Sequence, residues 1–189
     1  MISDNHTIQP LHSKPSWLVN GVQRLIGLMG LIPDSLIAAL GRFSIAAVFW
    51  KSGQTKIDGL VIDFINGEFQ IGWPNLSFSA EVLFADEYRL PLLPPEWAAI
   101  MAASAEHVFA ALILVGLATR FSALALLVMT LVIQVFVYPD AYPTHGVWAA
   151  VLLYLIAKGP GKWSLDHWVR CKARLWFLDL SVFSSDAVQ

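Results

Sequence analysis

Glu106 and His107 stand side by side in the middle of an apolar stretch, Trp97 to Leu117, and Arg42 stands near the middle of another, Leu31 to Gly53. Charges among Leu, Ala, Val and Phe must be paired within the protein or put to use. On a membrane-insertion scale a central carboxylate or Arg costs roughly 2.5–3.5 kcal/mol, while each Leu, Ile, Val or Phe returns only about 0.3–0.6. The Glu106 stretch holds about eight such residues, so alone it would insert at close to zero net free energy. If the two stretches run antiparallel, their midpoints fall at one depth, and the sequence predicts an Arg42–Glu106 ion pair. Ala38, Ala39 and Ala46 around Arg42, and Ala102, Ala103 and Ala110 around Glu106, leave room for close approach. Such a pair is either a proton-handling device or a structural tie that keeps two helices in register.

His107 lies about 100° around the helix from Glu106 and must face a different neighbour. Gln134, His145 and Trp148, with Tyr138 and Trp97 near in depth, predict a polar pocket rimmed by aromatic rings. That chemistry suits a lipid-soluble ring with hydrogen-bonding oxygens, held by His107, Gln134, His145 and Trp148. The plainer alternative for His145, Trp97 and Trp148 is an interfacial aromatic belt with a capping histidine. His107, His145 and Glu106 have no tight ligand spacing, so the sequence predicts no metal site, and it carries no nucleotide-binding motif.

The elements that must position these residues are membrane helices. Across 189 residues, 57% are hydrophobic and 14% charged, too little polar surface to coat a soluble globule of that size. The net charge of −2 and the absence of a dense basic run argue against nucleic acid as a partner. The single Cys171 excludes an intrachain disulfide, a CxxC pair and a Cys-ligated iron–sulfur cluster within this chain. A span needs about 20 residues. The stretches 31–53, 97–117, 121–138 and, more briefly, 144–158 are read as four spans with short links between the last three. The expected fold is an all-α membrane protein: an antiparallel four-helix transmembrane bundle with amphipathic surface helices and a long outer loop between spans 1 and 2.

Lys14, Arg24, Arg120, Lys158, Lys162, Arg170, Lys172 and Arg174 all fall on one side of that topology. The rule that basic loops stay inside then predicts both termini in the cytoplasm. Residues 1–16 read as a polar tail without a signal peptide, and 159–189 as a cytoplasmic tail, all within one membrane domain. Leu18, Val22, Leu25, Met29 and Ile32 predict one surface helix, and Ile57, Leu60, Val61, Phe64 and Ile65 a second one in the outer loop. The rest of that loop, Gly72 to Glu96, is rich in Pro and aromatics and is expected to cap the outer mouth rather than hang as a tether.

Taken in order, several short pieces resemble the DoxX family of small four-span bacterial membrane proteins. They are Gly41-Arg42, Lys51-Ser52-Gly53 with Lys56, Phe84-Ala85-Asp86-Glu87-Tyr88-Arg89, Leu93-Pro94-Pro95, and Glu106. Gly116-Leu117-Ala118-Thr119-Arg120, Tyr138-Pro139, His145, Trp148, Gly159-Pro160-Gly161 and Ser164-Leu165-Asp166 continue the series. The resemblance covers roughly Leu40 to Trp168, and order and spacing carry it. It implies a bacterial plasma-membrane protein linked to respiratory or redox function, in some members a subunit of a quinone-reducing oxidoreductase. Two readings follow. In one, a partner redox subunit delivers electrons, a quinone is the cofactor, and Glu106 with Arg42 moves protons. In the other, the chain is a non-catalytic anchor or small transport component with a structural Arg–Glu pair, docking a periplasmic protein. Oligomeric state is not legible.

Overall fold

The computed structural model describes residues 17–63 and 66–174. The expected N-terminal tail 1–16, residues 175–189 of the expected tail 159–189, and the expected helical positions Phe64 and Ile65 lie outside the described residues. Helix α1 (Trp17–Met29) forms where the spacing of Leu18, Val22, Leu25 and Met29 predicts it and ends before Ile32. It belongs to a compact unit of its own, and none of its residues is buried within the chain.

The second unit begins at Asp34. It consists of α2 (Asp34–Gln54), β1 (Ile57–Asp63), β2 (Glu68–Leu76), α3 (Phe78–Val82) and a π-helical turn, Leu83–Tyr88, followed by α4 (Pro95–Val115). A second run, α5 (Thr119–Phe136), a 3₁₀ turn at Pro139–Ala141 and α6 (Tyr142–Lys158), leads to a final described helical stretch, 165–174. Local chemistry sets the long helices' ends. Pro95 occupies the first turn of α4, where a missing N–H is harmless. Gly116, at φ +74°, closes α4 in the left-handed conformation, its N–H turned back to the carbonyls of Ile113 and Leu112. The observed helices fall within a few residues of the expected spans.

Among the described residues three helices, α2, α4 and α5, are long and apolar enough to cross a membrane. Helix α6 has 17 residues. Helix α2 packs on α4 and α6, and α5 on α4 and α6. Their shared core is Ile45, Phe49, Ala110, Ile113, Leu126, Leu152 and Leu155, with small residues (Ala38, Ala46, Ala123) where backbones approach.

The expected second surface helix is replaced by a β-hairpin, so the second unit is mostly rather than wholly helical. Strands β1 and β2 pair antiparallel, Ile57 opposite Leu76 and Asp63 opposite Glu68. Ile57, Leu60 and Val61 satisfy a helical stripe, but Asn66-Gly67 is a hairpin turn signal, and Gly67 takes φ +71°. The Asp63 carboxylate accepts from the Asn66 backbone N–H at 3.0 Å and from its side-chain amide at 2.8 Å, holding the turn. Midway, Gly59 faces Gly72 to Pro74 across an irregularity in the ladder. A Cβ on Gly59 would lie 2.4 Å from the Trp73 carbonyl oxygen, and one on Gly72 2.6 Å from that of Gly59. Neither strand tolerates a side chain there. Pro74, which has no N–H to offer, sits where pairing is already broken.

Of the expected cap, Gly72 to Glu96, the residues up to Leu76 complete β2 and the last two open α4, and the loop between them packs on the first turns of α4. Phe84 is buried with Ala98 and Ala99 of α4, and Leu76, Tyr88 and Leu90 close around them. The first turns of α4 are thus covered by hairpin-end residues, while its later turns meet α2. The closest approach is at Gly53, where a Cβ would fall 2.7 Å from the His107 ring and 3.2 Å from Glu106 Cβ. Gly53→Ala is therefore expected to overpack this contact and lower stability by about 1–3 kcal/mol. Thermal unfolding in mild detergent, compared with Ala at the open Gly27 position, checks this.

Candidate functional site

Helix α2 ends at Gln54, and two residues later Lys56 turns its side chain into the protein. Its Nζ lies 2.9 Å from Glu106 Oε1 and 2.8 Å from Oε2, and both side chains are almost wholly buried. The Oε1 contact is a hydrogen bond, whereas Oε2 only faces the charge. The Ser52 hydroxyl donates to the same Oε1 at 3.0 Å, and Lys56 Nζ also reaches the Ser52 carbonyl at 3.1 Å and hydroxyl oxygen at 3.0 Å. A buried carboxylate is thus matched by one ammonium and one hydroxyl, the arrangement an ion pair needs to survive removal from water.

The expected Arg42–Glu106 pair does not form. Glu106 lies against the last turn of α2, while the Arg42 guanidinium donates to the Trp163 carbonyl oxygen and packs on Gly116. The two charges stand about ten residues apart on each helix, roughly 15 Å at 1.5 Å per residue. The midpoint argument fails because α2 and α4 are staggered: the hairpin end of α2 meets the middle of α4, whose own first turns carry the cap.

Arg42 works at the other end. Its side chain is buried, its Nε and Nη1 have no hydrogen-bond partner among the described residues, and Asp166 is the carboxylate whose field reaches it. A Cβ on Gly116 would sit 2.0 Å from Nη1, so only glycine admits the guanidinium. Asp166 in turn caps α5: Oδ1 accepts from the Ala118 N–H at 2.8 Å and Oδ2 from that of Thr119 at 3.0 Å, while its own N–H returns to the Gly116 carbonyl at 2.8 Å. Burial opposes ionisation of Asp166, but those two N–H groups and the charge of Arg170 outweigh it and hold its carboxyl below the ordinary range.

His107 joins a different network from its neighbour. Its Nδ1 is 2.7 Å from the Ala103 carbonyl oxygen and its Nε2 2.8 Å from Gln54 Nε2. Gln54 Oε1 accepts from the Ile62 N–H at 2.8 Å, and the Trp50 indole donates to the Ile62 carbonyl at 3.1 Å. One end of this chain is an obligatory donor and the other an obligatory acceptor, so every proton in it is assigned. The Gln54 amide must donate to His107 Nε2, and the ring is neutral with its proton on Nδ1. The Trp50 ring stands edge-on to it at 5.0 Å.

Gln134, His145 and Trp148 come together as the sequence reading groups them. Gln134 Nε2 donates to the Pro139 carbonyl at 2.6 Å, which leaves Oε1 to accept from His145 Nδ1 at 2.7 Å. The same logic places a proton on His145 Nδ1, so that in the neutral ring Nε2 is an acceptor. No described residue hydrogen-bonds to that nitrogen. The Trp148 ring lies 5.0 Å from the imidazole and 5.6 Å from Phe49. Among the described residues His107 stands apart from this group, its partners being Gln54, Ala103 and Trp50. Tyr138 instead donates to Glu87 and meets Tyr88 edge-on at 5.8 Å, tying the end of α5 to the π-helical turn. Trp97 is exposed. Among the described residues no group of His, Cys, Asp and Glu is arranged to hold a metal ion.

Pattern reading of the spans missed Lys56, Ser52 and Gln54 as site residues because they stand at or beyond the end of a stretch judged by its middle. The available signal was Lys56 itself, a cation directly before the apolar positions Ile57, Leu60, Val61 and Ile62.

The chain matches the DoxX family model over residues 37–139. It is similar to an uncharacterized protein of Haemophilus influenzae, 27% identical over 137 residues that make up 68% of this chain and 80% of the relative. No solved structure matches it.

Lys56→Met and Glu106→Leu are each expected to lower stability by about 3–5 kcal/mol, since each strands a buried charge, and the double variant to recover most of the loss. A double-mutant cycle on thermal or denaturant unfolding reads the coupling. Asp166→Ala is expected to cost about 1 kcal/mol at neutral pH. Because the folded Asp166 carboxyl titrates below its unfolded value, its stabilisation is full above about pH 4 and disappears as pH falls through the folded value. The wild-type and Asp166→Ala unfolding curves should therefore converge only in acid.

Proposed function

The chain belongs to the DoxX family and is a membrane protein, and from that premise we propose that it is the integral membrane subunit of a quinone-linked redox complex in the bacterial inner membrane. In this reading α2, α4, α5 and α6 are the four spans of an antiparallel bundle, α6 being short because Pro139–Ala141 and the cap extend its buried end. The basic residues after α6 put both termini in the cytoplasm and the hairpin, π-helical turn and Tyr138 on the outer side.

The observation that carries the reading is His145. It is a buried imidazole with its Nδ1 proton committed to Gln134 and its Nε2 without a partner among the described residues, beside the tilted ring of Trp148. Those groups fit a ring bearing a hydroxyl, as a quinol does: the acceptor nitrogen for the hydroxyl proton, the indole for the ring. When bound, a quinone supplies two-electron, two-proton chemistry. His145 Nε2 holds or releases a proton at the ring oxygen, and Gln134 keeps the imidazole in the tautomer that can do so. With one cysteine in the sequence, the electrons come from a partner subunit. Glu106 is the one buried carboxylate among the core helices and the group available to carry protons inward, with Lys56 rather than Arg42 as its counter-charge. His107 is assigned to holding the hairpin.

The Lys56–Glu106 pair favours a second reading. Its carboxylate is already satisfied by Lys56 and Ser52, as a structural tie would be, and the chain is then a non-catalytic anchor whose outer cap docks a periplasmic protein. The test is mass spectrometry of lipids extracted from protein purified from native membranes in mild detergent, with His145→Phe and Glu106→Gln beside it. The redox reading expects near-stoichiometric quinone in the wild type and its loss in His145→Phe at unchanged thermal stability. Background quinone in all three folded proteins would move the assignment to the anchor.

A further inference from the structure

We propose that the groove between the start of α5 and the helical stretch 165–174 is a binding site for the headgroup of an anionic phospholipid. The inference rests on α5 spanning the bilayer, as in the reading above, and is independent of the quinone. The groove encloses about 490 Å³ and is lined by Arg120, Phe121, Pro160, Asp166, Val169 and Arg170 among others. It has a cationic wall and an apolar floor.

The cationic wall is two guanidinium groups. Arg120 gives one N–H to the Ala157 carbonyl in a long contact of 3.4 Å, and Arg170 gives its Nε–H to the Asp166 carbonyl at 3.1 Å. Both side chains are exposed, and each guanidinium has five N–H donors, most of them uncommitted. Paired forks of this kind suit phosphate oxygens, which accept two parallel N–H bonds. Asp166 is the one carboxylate in the lining, and its two oxygens are already taken by the Ala118 and Thr119 N–H groups. The α5 N-terminus is therefore occupied, and recognition falls to the arginines. Exposed Lys158, Lys162, Lys172 and Arg174 stand within four residues of the lining residues Pro160 and Arg170 in sequence and add to the positive charge of this end of the chain.

The apolar floor distinguishes a lipid from free phosphate. Phe121 lies in the groove, two-thirds exposed, and begins a stripe of exposed residues on one face of α5: Leu124, Val128, Leu131 and Val135. Spaced alternately three and four residues apart, they run about 21 Å along the helix. That exceeds the roughly 15 Å of one leaflet's hydrocarbon. A headgroup phosphate held at Arg120 and Arg170 puts its acyl chains directly onto this stripe. Val169 and the exposed Trp168 extend the apolar surface at the headgroup level, with the Lys172 ammonium 4.3 Å over the Trp168 ring.

The experiment is native mass spectrometry of the delipidated full chain in mild detergent, titrated with phosphatidylglycerol or phosphatidylcholine. The wild type is expected to retain phosphatidylglycerol at least about fivefold better. Arg120→Gln/Arg170→Gln should drop to the phosphatidylcholine level, while Lys51→Gln/Arg89→Gln, at the hairpin end, should behave as wild type. Arg170→Gln alone, at an exposed site, replaces the double variant if that one does not fold. Equal retention of the two lipids by the wild type overturns the site. So does undiminished phosphatidylglycerol binding in the variant, or complete displacement of the lipid by millimolar inorganic phosphate, which would mark an anion site without a lipid. Quinone content plays no part in the readout, and loss of the preference with quinone still present would leave the redox reading standing.

Discussion

A single buried charge contact, Lys56 with Glu106, organises the hairpin half of the molecule. Taking an ammonium and a carboxylate out of water costs several kcal/mol for each ion, and only their mutual attraction at 2.8 Å with added hydrogen bonds offsets it. Geometry is therefore not negotiable around them. Ser52 must present its hydroxyl, which fixes the last turn of α2. Gly53 must lack a side chain, because the pair draws α2 onto α4 at that level. Lys56 also receives the Ser77 N–H on its carbonyl at 2.9 Å, so the residue that neutralises Glu106 clamps both ends of the hairpin at its base. Ser77 then caps α3 through Ala80, and the cap follows.

His107 adds a second tie of different character. Its chain through Gln54 to Ile62 has no spare proton: a protonated imidazole would set N–H against N–H at Gln54, and rotating that amide would only move the clash to Ile62. The hairpin is thus held by one ionic and one neutral hydrogen-bonded link on consecutive residues of α4, roughly 100° apart. Placing a Glu and a His side by side lets one helix grip both the root and the far end of β1.

Much of this was legible in the amino-acid sequence. The apolar stretch Trp97 to Leu117 gave α4, the stripe of Leu18, Val22, Leu25 and Met29 gave α1, and depth along the helices grouped Gln134, His145 and Trp148, though it wrongly added His107, Tyr138 and Trp97. Two things were not, for physical reasons. Ile57, Leu60 and Val61 fit helical and strand spacing alike over so few residues, and only Asn66-Gly67 breaks the tie toward a hairpin. The partner of Glu106 was misassigned because midpoints predict contacts only for helices of equal depth. The stagger of α2 against α4 is set by the cap on the first turns of α4, and tertiary packing of that kind has no local sequence signal. Arg42 is read correctly as buried but serves the opposite end, gripping the Trp163 carbonyl while Asp166 caps α5.

The structural tie made by Glu106 and the proton-carrying role proposed for it would share one geometry. A proton arriving on Glu106 removes the charge that Lys56 was buried to meet, leaving the ammonium with neutral acceptors alone, the carboxyl oxygen and those of Ser52. The loss falls on the residue that clamps the hairpin, so any protonation of Glu106 is also a loosening of the cap at its base. The converse holds as well: whatever docks on the cap and pulls at Lys56 changes the affinity of Glu106 for a proton by the same free energy. An anchor built this way reports partner binding to its core, and a proton carrier built this way is gated by its cap. The chemistry that separates the two is whether anything in the core, at His145 or beyond, exchanges that proton.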